Sequence, residues 1–167
     1  VEVMFFAGLL SAWSIVESTA PPGAWPPPGP PRLPIEAPAG NTAGLLGSGV
    51  LALLSRSAFA HNSSSRRGRR MLLGAALLGS GFVAFQGLEW VRLISQGLTM
   101  RVSTFGSFFY MIVGAHAVHA LAAIGALLWC WRQATLGKLR HATLAAVLAL
   151  WSFVVVLWPI LYTTVYL

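Results

Sequence analysis

Phe105–Trp131 reads FGSFFYMIVGAHAVHALAAIGALLWCW, twenty-seven residues without one Asp, Glu, Lys or Arg. Roughly 20 apolar residues are enough to cross the hydrocarbon of a bilayer, so this run marks an integral membrane protein. Working outward, four more apolar stretches fill most of the chain: Val1–Ser18, Asn41–Ala60, Met71–Leu93 and Ala142–Leu167. None shows the period-two alternation of a strand. Gly74, Gly79, Gly81, Gly114 and Gly125 suit close helix–helix approach in lipid. The expected fold is all-α: one polytopic membrane domain over residues 1–167, with five transmembrane helices at about 1–18, 41–60, 71–93, 105–131 and 142–167.

Composition agrees. The chain of 167 residues is 56% hydrophobic and 9% charged, with no Asp, four Glu, ten Arg and one Lys. A soluble domain usually carries about a quarter charged residues, so lipid is the solvent here. The formal net charge of +7 does not point to nucleic acid, because the cations lie between apolar runs and not along one surface. Cys130 is the single cysteine, so no internal disulfide forms. No cleavable signal is read at Val1, and residues preceding it are compatible with the sequence.

The connections set the topology. Residues 20–40 hold Pro21-Pro22-Gly23-Ala24-Trp25-Pro26-Pro27-Pro28-Gly29-Pro30-Pro31. Proline lacks the amide donor, so this stretch predicts a stiff loop outside the lipid, with Trp25 at the membrane interface. Asn41-Thr42 predicts the start of the second helix through a side-chain cap. Residues 61–70 predict a solvated basic hairpin loop. Arg56, Arg66, Arg67, Arg69, Arg70, Arg132, Lys138 and Arg140 fall on one side, against Arg32, Arg92 and Arg101 on the other. The positive-inside rule places the first set in the cytoplasm; five crossings then put the C-terminus outside.

Few polar residues interrupt the apolar runs. His116 and His119 are three apart, on one helical face near mid-membrane depth. A bis-histidine haem usually takes its ligands from facing helices and a histidine copper site commonly takes three, whereas these two share one helix; the lone cysteine excludes a two-copper thiolate centre. They therefore read as helix-locking or lipid-contacting residues. No metal ligand set, phosphate loop or Ser-His-Asp set is present. Glu2 reads either as a functional membrane carboxylate or as an interfacial residue at a helix start, and both stay open. Glu89 lies ~27 Å from Met71 along its helix. It is expected at the outer boundary, paired with Arg92.

Several motifs resemble the cytochrome c oxidase subunit III family of haem-copper terminal oxidases. They are Glu2-Val3-Met4-Phe5-Phe6-Ala7-Gly8, Trp25-Pro26-Pro27, Asn41-Thr42 with Leu45-Leu46-Gly47-Ser48-Gly49-Val50, and Gln86-Gly87-Leu88-Glu89-Trp90. Gly106-Ser107-Phe108-Phe109, Gly114-Ala115-His116-Ala117-Val118-His119, and Trp151, Phe153 and Trp158 follow in order. The family usually has seven helices, some members five; this chain resembles the longer form from its third helix onward. It departs at Ser152 and Val155, where the family has His and Asp, and at Leu54-Ser55-Arg56-Ser57, where it often has Trp-Ala-His-His.

The resemblance implies a subunit without haem or copper of its own, packed directly on subunit I, which carries those centres. Subunit II and other oxidase subunits, and a respiratory supercomplex, are its wider partners, in a bacterial cytoplasmic membrane. It implies bound structural phospholipid, support of proton uptake and protection during turnover. Glu2, His116 and His119 become the polar membrane site. Arg56, Arg66, Arg67 and His116 become lipid contacts; Glu89, Trp90, Trp151 and Trp158 become interface residues. The rigid loop after the first helix predicts two bundles, two helices plus three, around a lipid-holding cleft. Competing readings are the small accessory subunit of a nitric oxide reductase and an independent transporter.

Overall fold

A computed structural model describes residues 1–21, 36–62, 65–98 and 103–166, without the side chains of residues 36–39. Among them are five α-helices: α1 Glu2–Thr19, α2 Glu36–His61, α3 Arg66–Ser95, α4 Thr104–Thr135 and α5 His141–Leu161. A π-helical turn, Tyr162–Tyr166, continues α5. Pro159 lies inside α5 and cannot donate a backbone hydrogen bond, which favours a change of winding there. Trp25 and the Trp25-Pro26-Pro27 motif lie outside the described residues, as do Arg32 and Arg101.

Four helical stretches are long and apolar enough to cross a membrane: Gly40–His61, Arg66–Ser95, Thr104–Thr135 and His141–Tyr166. The fifth expected crossing is not among them. Helix α1 has 18 residues, ~27 Å at 1.5 Å per residue, with Glu2 in its first turn and Glu17 near its end.

Helix boundaries differ from expectation where polar residues invited a loop. Helix α2 begins at Glu36, so Asn41 and Thr42 are interior residues and not a cap. Asn41 Nδ2 donates to the Phe82 carbonyl of α3 at 3.0 Å, and Thr42 Oγ1 accepts from Trp158 Nε1 of α5 at 2.9 Å. Asn and Thr side chains commonly hydrogen-bond across helices in membrane bundles. The basic segment 61–70 is mostly helix: α3 starts at Arg66, capped by Ser65 Oγ accepting from the Gly68 amide at 3.1 Å.

The expected partition into two plus three helices does not describe the packing. Helix α2 packs against both α3 and α5, α3 against α4, and α4 against α5. Side chains close the space expected to hold lipid. Ser48 Oγ on α2 donates to the Ala75 carbonyl at 2.8 Å and accepts from Trp151 Nε1 at 3.1 Å. Gly49 meets Val155, and Gly79 meets Trp151. Helix α1 is the one that stands aside, lying mainly on α4. The tight core is therefore a four-helix ring of α2–α5, with Trp151 and Trp158 fully buried inside it. Its outside is apolar: Leu77, Leu88, Val91, Val118, Leu121 and Val156 are all exposed, as a lipid-facing surface requires.

Candidate functional site: a mid-membrane carboxylate–imidazole pair

Helix α1 runs antiparallel to α4. Trp13 meets Phe105 near the start of α4, at a centroid distance of 5.4 Å. Glu2 meets His119, fifteen residues into this 32-residue helix. The Glu2 carboxylate thus sits about halfway along a membrane-crossing helix. Phe6 seats α1 on α4 and α5: its ring centroid is 5.4 Å from His119, 6.4 Å from His116 and 5.9 Å from Phe153.

His119 Nε2 and Glu2 Oε2 are 2.7 Å apart. His119 Nδ1 is 2.7 Å from the Ala115 carbonyl one turn back. A carbonyl only accepts, so Nδ1 carries a hydrogen. Nε2 then either donates to an ionised carboxylate or accepts from a protonated carboxyl. Both forms hold one proton between the two residues, and both leave the pair with no net charge. That is how a carboxylate is tolerated at this depth, where an isolated charge is costly. The pair is not sealed: the Glu2 side chain is 48% exposed and that of His119 24%.

His116 is placed differently. It is 1% exposed, its ring 5.5 Å from that of Trp158, and neither ring nitrogen has a hydrogen-bond partner. The i, i+3 spacing read from sequence puts both histidines around Phe6, but only His119 reaches Glu2. Glu89 pairs with Arg92 at 2.7 Å. Its carboxylate is buried while the Arg92 side chain is largely exposed. Trp90 is partly buried. Trp151 and Trp158 make their contacts within the chain, to Ser48 and Thr42.

Arg56, Arg66 and Arg67 are exposed at one end of the bundle. Beside them, between the end of α2 and the start of α3, lies a cavity of about 420 Å³ lined by Ser57, His61, Asn62, Ser65, Arg67 and Met71. Gln86 stands in the Gln86–Trp90 motif with no role read for it, and the sequence does not single out Tyr166; the two hydrogen-bond between α3 and the C-terminal turn at 2.8 Å. A glutamine one turn before Glu89 in an apolar run was the available signal. Among the described residues, no three or more His, Cys, Asp or Glu side chains are grouped to hold a metal ion.

These features define a polytopic helical membrane protein with a paired carboxylate and imidazole about halfway along one of its spans. The chain matches the cytochrome c oxidase subunit III family over residues 1–167, and it belongs to that family. It is 31% identical to a protein named probable cytochrome c oxidase subunit 3 from Nocardia farcinica, over 99% of this chain and 81% of that one. Against cytochrome c oxidase subunit 3 of Synechocystis the identity is 33%, over 99% of this chain and 70% of the relative. Against that of Ornithorhynchus anatinus it is 32%, over 99% of this chain and 64% of the relative. The chain is a subunit III of a haem-copper oxidase, part of a respiratory oxidoreductase complex.

Proposed function

We propose that the chain serves its oxidase without a redox centre of its own. It packs directly on subunit I within a complex that includes subunit II, holds structural phospholipid, and supports proton uptake. The single observation that carries this reading is the Glu2–His119 pair, 2.7 Å apart and partly exposed halfway along α4. A net-neutral pair that retains one mobile proton suits proton buffering or helix docking better than electron transfer. Haem and copper belong, on this reading, to partner subunits.

The lipid role rests on the basic end. Arg56, Arg66 and Arg67 beside the α2–α3 cavity offer anionic headgroups about 1 kcal/mol of attraction per cation at a membrane surface. His116 is buried in the bundle, so the headgroup contact is assigned to the arginines. The same end, with Arg69, Arg70, Arg132, Lys138 and Arg140, is cytoplasmic by the positive-inside rule. The membrane is the bacterial cytoplasmic membrane.

The test uses the purified oxidase carrying Glu2→Gln or His119→Phe. Haem spectra and initial oxygen consumption stay close to the parent enzyme, while proton uptake or sustained turnover declines. Immediate loss of oxygen reduction in a fully assembled variant sinks the reading.

A further inference from the structure

We infer that the space between α3, α4 and α5 is a hydration site, holding a small cluster of water bound by Gln86 Oε1 and the His116 ring nitrogens. The cavity has a volume of about 150 Å³, and its lining includes Phe82, Gln86, Trp90, Val113, His116 and Trp158. Gln86 is 5% exposed and His116 1%. The Gln86 amide is anchored through Nε2, which donates to Tyr166 Oη at 2.8 Å. Its Oε1 is left without a partner, as are His116 Nδ1 and Nε2. Trp90 Nε1 also lacks a partner, so four buried polar atoms belong to residues of two facing helices that line one cavity.

No neighbouring element supplies those partners. Helix α1 presents the Phe6 ring to His116, and α5 presents the Trp158 ring. His119, one turn on, is already engaged with Ala115 and Glu2. Buried polar groups are hydrogen-bonded in native proteins, to protein or to ordered water. Gln86 Oε1 needs a donor; an imidazole bearing one hydrogen needs an acceptor at one nitrogen and a donor at the other. Water supplies both, and the cavity has room for several molecules at the ~30 Å³ each occupies in the liquid. An acyl chain entering past Leu121, which is exposed and also lines the cavity, would fill the volume yet leave all four atoms unpaired. Bound water extends the Tyr166–Gln86 hydrogen bond to α4 and ties three elements together at one depth. The inference stands apart from the role given to Glu2 and His119.

The purified oxidase complex, mapped at a resolution where waters are placed, decides it. Discrete peaks within hydrogen-bonding distance of Gln86 Oε1 and of a His116 nitrogen are expected. An empty cavity overturns the inference, and so does continuous elongated density leaving past Leu121. The variant His116→Phe keeps a ring against Trp158 and Phe6 but removes both nitrogens. In a hydrated site the peaks beside residue 116 vanish and the melting temperature of the complex falls. A melting temperature that is unchanged or raised shows that the nitrogens were dry, and the inference fails. If that variant does not assemble, the map of the parent complex decides alone.

Discussion

At the scale of single residues, steric fit and hydrogen bonding assign roles that composition conceals. A Cβ at Gly79 would stand 2.5 and 2.7 Å from the Trp151 ring. That ring is fully buried and tied to Ser48, so it has no room to yield. Overpacking of this kind costs about 1–3 kcal/mol. Gly79→Ala is expected to lower the melting temperature of the assembled complex. Gly81→Ala, with nothing within 4 Å of its Cβ, is the control and is expected to match the parent or exceed it by up to about 1 kcal/mol. A thermal melt of the two variants side by side checks this; equal melting temperatures contradict it. The sequence shows two glycines two positions apart in an apolar helix, and only the packing separates them.

At the scale of elements, the start of α3 combines a good cap with an adverse charge. Ser65 accepts from the Gly68 amide, while Arg66, Arg67, Arg69 and Arg70 crowd the first turns. Cations at the positive end of a helix each cost ~0.3–1 kcal/mol. Helix stability therefore does not explain their presence. With that load, the cap matters: Ser65→Ala is expected to cost about 1 kcal/mol and Ser65→Asp to preserve stability. Denaturation of the complex in detergent measures both. Orientation is a second matter for this element. Asn62→Cys, at the basic end, is expected to resist an impermeant thiol reagent in intact cells. Gln96→Cys, exposed beyond the other end of α3, is expected to react. The reverse pattern inverts the topology.

At the scale of the whole molecule, four apolar spans form a ring and α1 lies on its side. The ring is held by hydrogen bonds through Ser48, Thr42 and Asn41, each of the modest strength such contacts have in lipid, on average about 0.6 kcal/mol. The exposed apolar exterior and the half-exposed Glu2 suit a subunit that functions inside a larger complex. An affinity tag on this chain is expected to recover haem-containing partners from solubilised membranes, whereas the chain separated from them gives no stoichiometric Soret band. A Soret band that stays with the separated chain, and is lost in His116→Ala, overturns the assignment of the haems to other subunits.

The membrane class, the helical fold and the positions of α2–α5 to within a few residues follow from the sequence alone. A long run such as Phe105–Trp131 has no way to satisfy its backbone in lipid other than as helix. The motif series from Glu2 to Trp158 likewise carried the family. Tertiary structure decided which polar residues meet. Asn41-Thr42 looks like a cap, but it bridges helices because partners on α3 and α5 stand opposite. His116 and His119 are alike in sequence, yet His119 pairs with Glu2 and His116 faces Trp158, because the start of α1 lies level with His119. A proline-rich linker suggested that α1 and α2 would pack together. The chain closed α2 against α3 and α5 instead, since Gly49 and Gly79 let bulky side chains, Val155 and Trp151, approach where local sequence has no means of expressing it.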